Sequence, residues 1–287
     1  LEKTKLKKLL LNAVKILISI ALLYFVFKKI PFRDVARLWS AINVFYVLLA
    51  AVFFLGSQVL STKRLEIYLH SNDFNLDFRS NLELYFLGMF YNFFIPGGIG
   101  GDAYKVYILN KKFGWSAKKI TSSLFNDRLS GLLAICVLSL AFSAFLFGNQ
   151  WIILIIALII IGIAFTFLIT KKFFSTYKDI FFKTFSMSVL IQLLQVICFI
   201  LIMKSLELND NFTIYTVTFL GSSVLSLVSF AGIGVREMLF LQASKYFNFD
   251  PSVSVSASLL FTVITAFFSF FGIIFQLRKL NLKLTEK

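Results

Sequence analysis

Apolar residues run along this chain in blocks longer than one face of a soluble helix requires. Windows free of Asp, Glu, Lys and Arg extend from Leu38 to Thr62, Leu129 to Trp151, Trp151 to Thr170, Thr184 to Met203, Asn211 to Val235 and Pro251 to Leu277. A bilayer core takes about 20 apolar residues per helical crossing, so these windows predict membrane helices. Leu9 to Phe27, interrupted only by Lys15, is a further candidate, and Leu84 to Gly101 is an apolar run with Pro96 and a glycine cluster near its end. The first segment follows Lys3, Lys5, Lys7 and Lys8, and no small-residue cleavage site precedes Lys28, Lys29 and Pro31. It is expected to be a retained anchor rather than a signal peptide.

The cations between the segments predict a topology, because short cytoplasmic connections are enriched in Lys and Arg. The Gly148 to Gln150 connection is uncharged, whereas Lys171, Lys172, Lys178 and Lys183 crowd the next one. Lys111, Lys112, Lys118 and Lys119, the pair Lys63 and Arg64, and the C-terminal Arg278, Lys279, Lys283 and Lys287 also read as cytoplasmic. These assignments agree only if two segments enter the membrane and return. One is Leu84 to Gly101, whose helical part to Ile95 covers about 18 Å of a core roughly 30 Å thick; the other runs from Phe212 to about Phe247. The expectation is an all-α polytopic bundle with about six crossings and two re-entrant broken-helix hairpins in an inverted repeat, both termini cytoplasmic. Lys28, Lys29, Arg33 and Arg37 then fall outside, where Pro31 to Trp39 can lie along the interface and the cations can snorkel.

No connection leaves room for a separate module, so residues 1–287 read as one membrane domain with approximate halves 1–170 and 171–287. Composition agrees: 59% of residues are hydrophobic and mean hydropathy is +0.85. The net charge of +15 would suit a nucleic-acid partner if it covered a soluble face, but the cations flank apolar segments, so none is expected. They can also attract anionic headgroups. Cys136 and Cys198 fall mid-segment and His70 is the single histidine, which leaves little for a disulfide or a metal. No cofactor is expected.

Both hairpins carry a glycine break followed by charge: Pro96, Gly97, Gly98, Ile99, Gly100, Gly101 and Asp102, with Lys105 beyond, and Gly232, Ile233, Gly234, Val235, Arg236 and Glu237. Irregular backbone at membrane depth is tolerated only where it is buried in protein or lines a wet cavity. Broken helices at matching positions of inverted halves point to a transporter binding site. Tight turns and close helix packing are the plainer explanation. A helix restarting after each break would aim N–H groups at an anion, with Lys105 and Arg236 adding charge and Asp102 and Glu237 as their partners or as proton carriers. Asp127 and Arg128 are further candidates, or else an interfacial ion pair. Hydroxyl stripes at helical spacing (Thr218, Ser222, Ser226 and Ser229; Ser254, Ser258, Thr262, Thr265 and Ser269) and the set Ser188, Gln192 and Gln195 suggest an internal path or interhelical packing. The two glutamines cost more to bury in lipid and are the more informative.

Three of these segments in this order resemble the lysylphosphatidylglycerol synthase transmembrane-region family, also called the flippase-like domain family. The similarity rests on Pro96 to Asp102 with Lys105, on Asp127-Arg128 followed by Leu129 and Gly131, and on Gly232 to Glu237. The second glycine motif has Phe230-Ala231 where the family has Pro-Gly. The resemblance implies lipid translocation by this region, with aminoacyl transfer in a separate soluble domain that this sequence does not contain, and association in some relatives with glycosyltransferases or lipid-linked sugars.

The function expected is translocation of a polar-headed lipid or lipid-linked molecule in a bacterial or archaeal cytoplasmic membrane, with no ATP-binding signature to drive it. Two other readings stay open: an intramembrane transferase with Asp102 or Asp127 as base, and a non-transporting partner of a lipid-modifying enzyme.

Overall fold

The structure, a computed structural model, describes Tyr24, Lys28 and residues 32–94, 100–225, 234–278 and 280–285. Among these the chain is α-helical apart from two single 3-10 turns and one isolated β-bridge. The helices are α1 (Phe32–Ser40), α2 (Val44–His70), α3 (Phe78–Phe94), α4 (Gly100–Phe113), α5 (Ala117–Phe147), α6 (Ile152–Phe173), α7 (Phe181–Ser205), α8 (Phe212–Leu225), α9 (Val235–Phe247) and α10 (Pro251–Leu277). Among the described residues five segments are long and apolar enough to cross a membrane: α2, α5, α6 with the 3-10 turn before it, α7 and α10. The expected first crossing, Leu9 to Phe27, lies almost wholly outside the described residues.

Several boundaries differ from the charge-free windows, and helix capping explains why. Asn43 caps α2 by accepting from the Phe45 N–H, so the crossing starts at Val44 and Leu38 belongs to the separate α1. Ser116 caps α5, so that helix starts twelve residues before Leu129 and carries Asp127 and Arg128 inside it. Asp250 accepts from the Ser252 and Val253 N–H groups, with Pro251 in the first turn of α10, a strong N-terminal stop. Helix α3 starts at Phe78, earlier than Leu84, yet its 17 residues still measure only about 25 Å.

The elements fall into two sets of equal order: α2, hairpin α3/α4, α5, and then α7, hairpin α8/α9, α10. Between them α6 buries only 6% of its apolar window and stands on the rim. The sets interlock antiparallel. Helices α2 and α7 form the most extensive contact, running from Asn43 beside Ser205 at one end to Asn72 beside Tyr177 at the other. The first hairpin leans on α10 of the other set, and the second leans on α5 of the first. At the α3/α10 crossing Gly272 lies directly against the Phe86 carbonyl, where a Cβ would overlap backbone.

Each hairpin returns to the end of the bundle from which it leaves. Phe74, before α3, stacks on Trp115, after α4, at 4.6 Å; Tyr215, at the start of α8, meets Phe249, after α9, at 4.5 Å. The first pair marks the end that also carries Lys111, Lys112, Lys118, Lys119, Lys171, Lys172 and Lys178, and the second marks the opposite end, with Glu207, Asp210 and Asp250. Helix α1 packs against α10, and its Val35 belongs to the same buried cluster as Leu206 and Phe249, in keeping with an interfacial helix.

At the basic end residues 280–285 tie down the first hairpin. Leu76 and Leu284 form the antiparallel bridge. The Asp77 N–H donates to the Lys283 carbonyl at 3.0 Å, the Thr285 N–H to the Asn75 carbonyl at 2.9 Å, and the Lys283 N–H to Ser80 Oγ at 2.8 Å. Lys112 Nζ, near the end of α4, donates to the Leu282 carbonyl at 2.7 Å.

Candidate functional site

Charge in the interior of the first set is built from α2, α4 and α5. Arg64 is 6% exposed; its Nε donates to Asp127 Oδ1 at 2.8 Å and its Nη1 to Ser188 Oγ of α7 at 2.7 Å. Ser188 is shared further with Ser130 at 2.6 Å and donates to its own helix at the Thr184 carbonyl. Tyr68 donates to Thr184 Oγ1 at 2.9 Å. The next residue on the same helix, Arg128, places Nε at 2.9 Å and Nη2 at 2.8 Å from Asp102 Oδ2. Lys105, 4% exposed, lies 3.5 Å from the other oxygen of Asp102 and 4.5 Å from the centre of the Tyr85 ring. Asp127 and Arg128 are therefore not paired with each other, since neighbours in a helix point about 100° apart and each finds a partner on a different helix.

The local fold explains how these groups converge. Gly101 of α4 lies against the Gly88 backbone of α3, an approach that a Cβ on Gly101 would block, and its N–H donates to Asn92 Oδ1 at 2.8 Å. This contact sets the first turn of α4, and with it Asp102 and Lys105, against α3 and α5. Gly100 opens α4; Pro96, Gly97 and Gly98 lie outside the described residues.

The second hairpin is built differently. Gly234, at φ +86°, precedes α9, a conformation that favours glycine. Glu237 is fully buried; one oxygen accepts from the Gly234 N–H at 2.7 Å and the other from Ser258 Oγ at 2.9 Å. The start of α9 thus already holds a carboxylate of its own chain, against the expectation of N–H groups left open for a ligand. Arg236, 8% exposed, makes no ion pair with Glu237 or with any other described carboxylate. Its guanidinium sits 4.8 Å from the Phe261 ring centre and 5.7 Å from that of Phe219, and its Nε has no hydrogen-bond partner among the described residues. Gly232, Ser226 and Ser229 lie outside the described residues.

The two charged sites match in depth from opposite ends. Asp102 is eleven positions from Phe113 at the end of α4, and Arg236 is eleven positions from Phe247 at the end of α9. Each distance is about 16 Å of helix, roughly half of a 30 Å core. Among the described residues, however, the charge and ring contacts of Lys105 (Asp102 and Tyr85) and of Arg236 (Phe219 and Phe261) fall on different side chains. Whether the two breaks border one cavity turns on 95–99 and 226–233, outside the described residues.

Of the other candidates, Gln192 is buried with its Oε1 unpartnered among the described residues, and Gln195 is half-buried on the same helix. Most hydroxyls of the stripes bond to carbonyls of their own helices: Thr218 to Ile214, Ser222 to Phe219, Ser254 to Pro251, Thr262 to Ser258 and Thr265 to Phe261. Such back-bonding satisfies the polar group during packing, whereas Ser258 donates to Glu237 of α9. Arg64 is the residue that charge bookkeeping misplaced. It follows the apolar window directly and reads as a cytoplasmic cation, but Ser57, Ser61, Arg64 and Tyr68 form a stripe at helical spacing that puts it on the face turned to α7. Among the described residues no group of three His, Cys, Asp or Glu could hold a metal ion.

Membrane-length helices enclosing charged side chains at half-depth define a polytopic helical membrane protein with a charged interior. The profile described as Lysylphosphatidylglycerol synthase TM region matches residues 12–187 and 170–272. The chain belongs to that family. No curated protein matches it.

Proposed function

We propose that the protein translocates a polar-headed lipid between leaflets, the headgroup passing along the charged interior while the tails stay in the bilayer. The observation that carries this reading is Arg236, a buried cation with no described carboxylate on its guanidinium, held at half-depth in the first turn of α9. A charge in the membrane interior is costly and is kept where it meets a substrate, an ion or a partner. The Arg64, Asp127, Asp102 and Arg128 network at matching depth from the other end adds to the support, as does membership of a family of flippase-like membrane regions.

The transferase reading has less support, because both candidate bases are already engaged: Asp127 by Arg64, and Asp102 by Arg128 and Lys105. The test is reconstitution of the purified protein into vesicles carrying headgroup-labelled lipids, with an impermeant quencher reporting leaflet exchange. Wild type should accelerate exchange, and Arg236→Ala should slow it more than Lys178→Ala at the basic surface. Absence of exchange with folded protein across anionic, zwitterionic and polyprenyl-phosphate lipids would instead favour a partner of a lipid-modifying enzyme.

A further inference from the structure

The seam between α2 and the start of α3 buries two acceptor oxygens that have no hydrogen-bond partner among the described residues, Glu66 Oε2 and Asn81 Oδ1. Glu66 is 6% exposed and Asn81 fully buried. The contacts around them close a ring. Asn81 Nδ2 donates to the Thr62 carbonyl at 2.9 Å, which sets the orientation of the amide and leaves Oδ1 over, and Thr62 and Glu66 lie one turn apart on one face of α2. Lys63 Nζ donates to Glu66 Oε1 at 2.8 Å and stands 5.4 Å from the centre of the Phe78 ring, one turn before Asn81 on α3. His70 Nε2 lies 3.9 Å from the same Glu66 oxygen and 3.4 Å from the Leu76 carbonyl, just ahead of α3. Oε1 is thus served from both sides while Oε2 is not. Other charges of the neighbouring elements are engaged elsewhere: Arg79 with Glu83 on α3, Asp127 of α5 with Arg64, and Lys112 with the Leu282 carbonyl. Asp77 accepts from the Arg79 and Ser80 N–H groups, and Lys183 of α7 is exposed.

We infer that Glu66 is a proton-binding site: one proton on Oε2 turns it into a donor to Asn81 Oδ1, so that a single bond satisfies both oxygens and seats the first hairpin on α2. A buried acceptor left without a donor is costly and calls for a partner. A protonated carboxyl has one O–H to give, and Oε1 keeps Lys63 as its own donor. The proton comes from solvent at the basic end, where His70, with 35% of its side chain exposed, stands beside Oε1 to relay it. When the proton leaves, Glu66 is a carboxylate held by Lys63, two acceptors face one seam, and the hairpin loosens. The seated form carries one more proton than the loose form, so a fall in pH favours it, by up to about tenfold per pH unit. Glu66 lies on the face of α2 turned away from Arg64, and its proton site holds whether or not the protein moves lipid.

The experiment titrates the full chain in nanodiscs from alkaline to acid pH, with infrared difference spectra reporting protonated carboxyl groups and a melting temperature taken at each pH. Wild type should gain a protonated-carboxyl band that Glu66→Gln lacks, and Asn81→Ala should move that band to the higher frequency of a carboxyl without an acceptor. Glu66→Gln, whose amide N–H imitates the protonated carboxyl, should melt with wild type at acid pH and above it at alkaline pH. Spectra that match in wild type and Glu66→Gln would show that Glu66 stays ionised, with a water bridging the two oxygens, and would overturn the inference. So would a Glu66→Gln protein less stable than wild type at every pH, the mark of a purely structural pair with Lys63. A band that stays in place in Asn81→Ala would overturn the bond to Asn81. A melting temperature that rises with sodium at fixed pH and ionic strength, and does so only while Glu66 is present, would assign the oxygens to a metal cation and overturn the proton.

Discussion

Arg64 and Asp127, on α2 and α5, meet Nε to Oδ1 at 2.8 Å inside the bundle, and the same guanidinium reaches Ser188 of α7. One side chain thus joins three crossings. Removing a single partner of a buried pair leaves an uncompensated charge, at a cost of about 3–5 kcal/mol, whereas replacing both by apolar residues is often close to neutral. Asp127→Leu alone is expected to lower the thermal stability of the detergent-purified protein sharply, and Arg64→Met with Asp127→Leu to recover most of the loss. Equal loss in the single and double variants would show that the pair is not the unit of stability.

The contact between Gly101 and the Gly88 backbone leaves no space for a side chain at position 101, and backbone cannot move aside as a flexible side chain can. Overpacking of this kind costs about 1–3 kcal/mol. Gly101→Ala should therefore reduce folded yield on size-exclusion chromatography, while Gly162→Ala, where nothing lies within 4 Å of the new Cβ, should not.

Glu237 joins the Gly234 N–H to Ser258. With Glu237→Gln the cap becomes a neutral amide, and loss of a capping interaction is worth about 1 kcal/mol. A drop in melting temperature without loss of leaflet exchange is expected; loss of exchange at full stability would give Glu237 a role beyond holding α9.

The basic end is expected to face the cytoplasm. Single cysteines at Lys178 and Lys283 in a cysteine-free background should label with an impermeant maleimide only after the cells are opened, and one at Asn209 should label in intact cells. The converse pattern would invert the bundle.

Much of the architecture was legible because bilayer thickness and Lys/Arg placement are strong constraints. The second hairpin, expected from Phe212 to about Phe247, comprises α8 and α9, which span Phe212–Leu225 and Val235–Phe247. Parity of charged connections, a global property, required it to turn back. Partner choice was legible only in part. The expected pairing of Lys105 with Asp102 is present at 3.5 Å, but adjacent residues also suggested Asp127 with Arg128 and Arg236 with Glu237. Side-chain direction on a helix separates such neighbours: Asp127 meets Arg64, Arg128 meets Asp102, and Glu237 holds the Gly234 N–H and Ser258. The same limit applies to Arg64, because a charge at the edge of an apolar run looks alike in sequence whether its helix stops there or continues six residues to His70.

The tail at 280–285 grips the first hairpin with its own main chain: Leu282 and Lys283 carbonyls and Lys283 and Thr285 N–H groups supply every hydrogen bond described above. Side-chain identity is therefore nearly irrelevant to the tie, apart from Leu282, which is 3% exposed. Exchanging Lys283 for glutamate would alter surface charge and keep the clasp. Proline at Lys283 or Thr285, lacking an N–H, is the change that would unfasten it, so this stretch can drift widely in composition while holding a fixed shape.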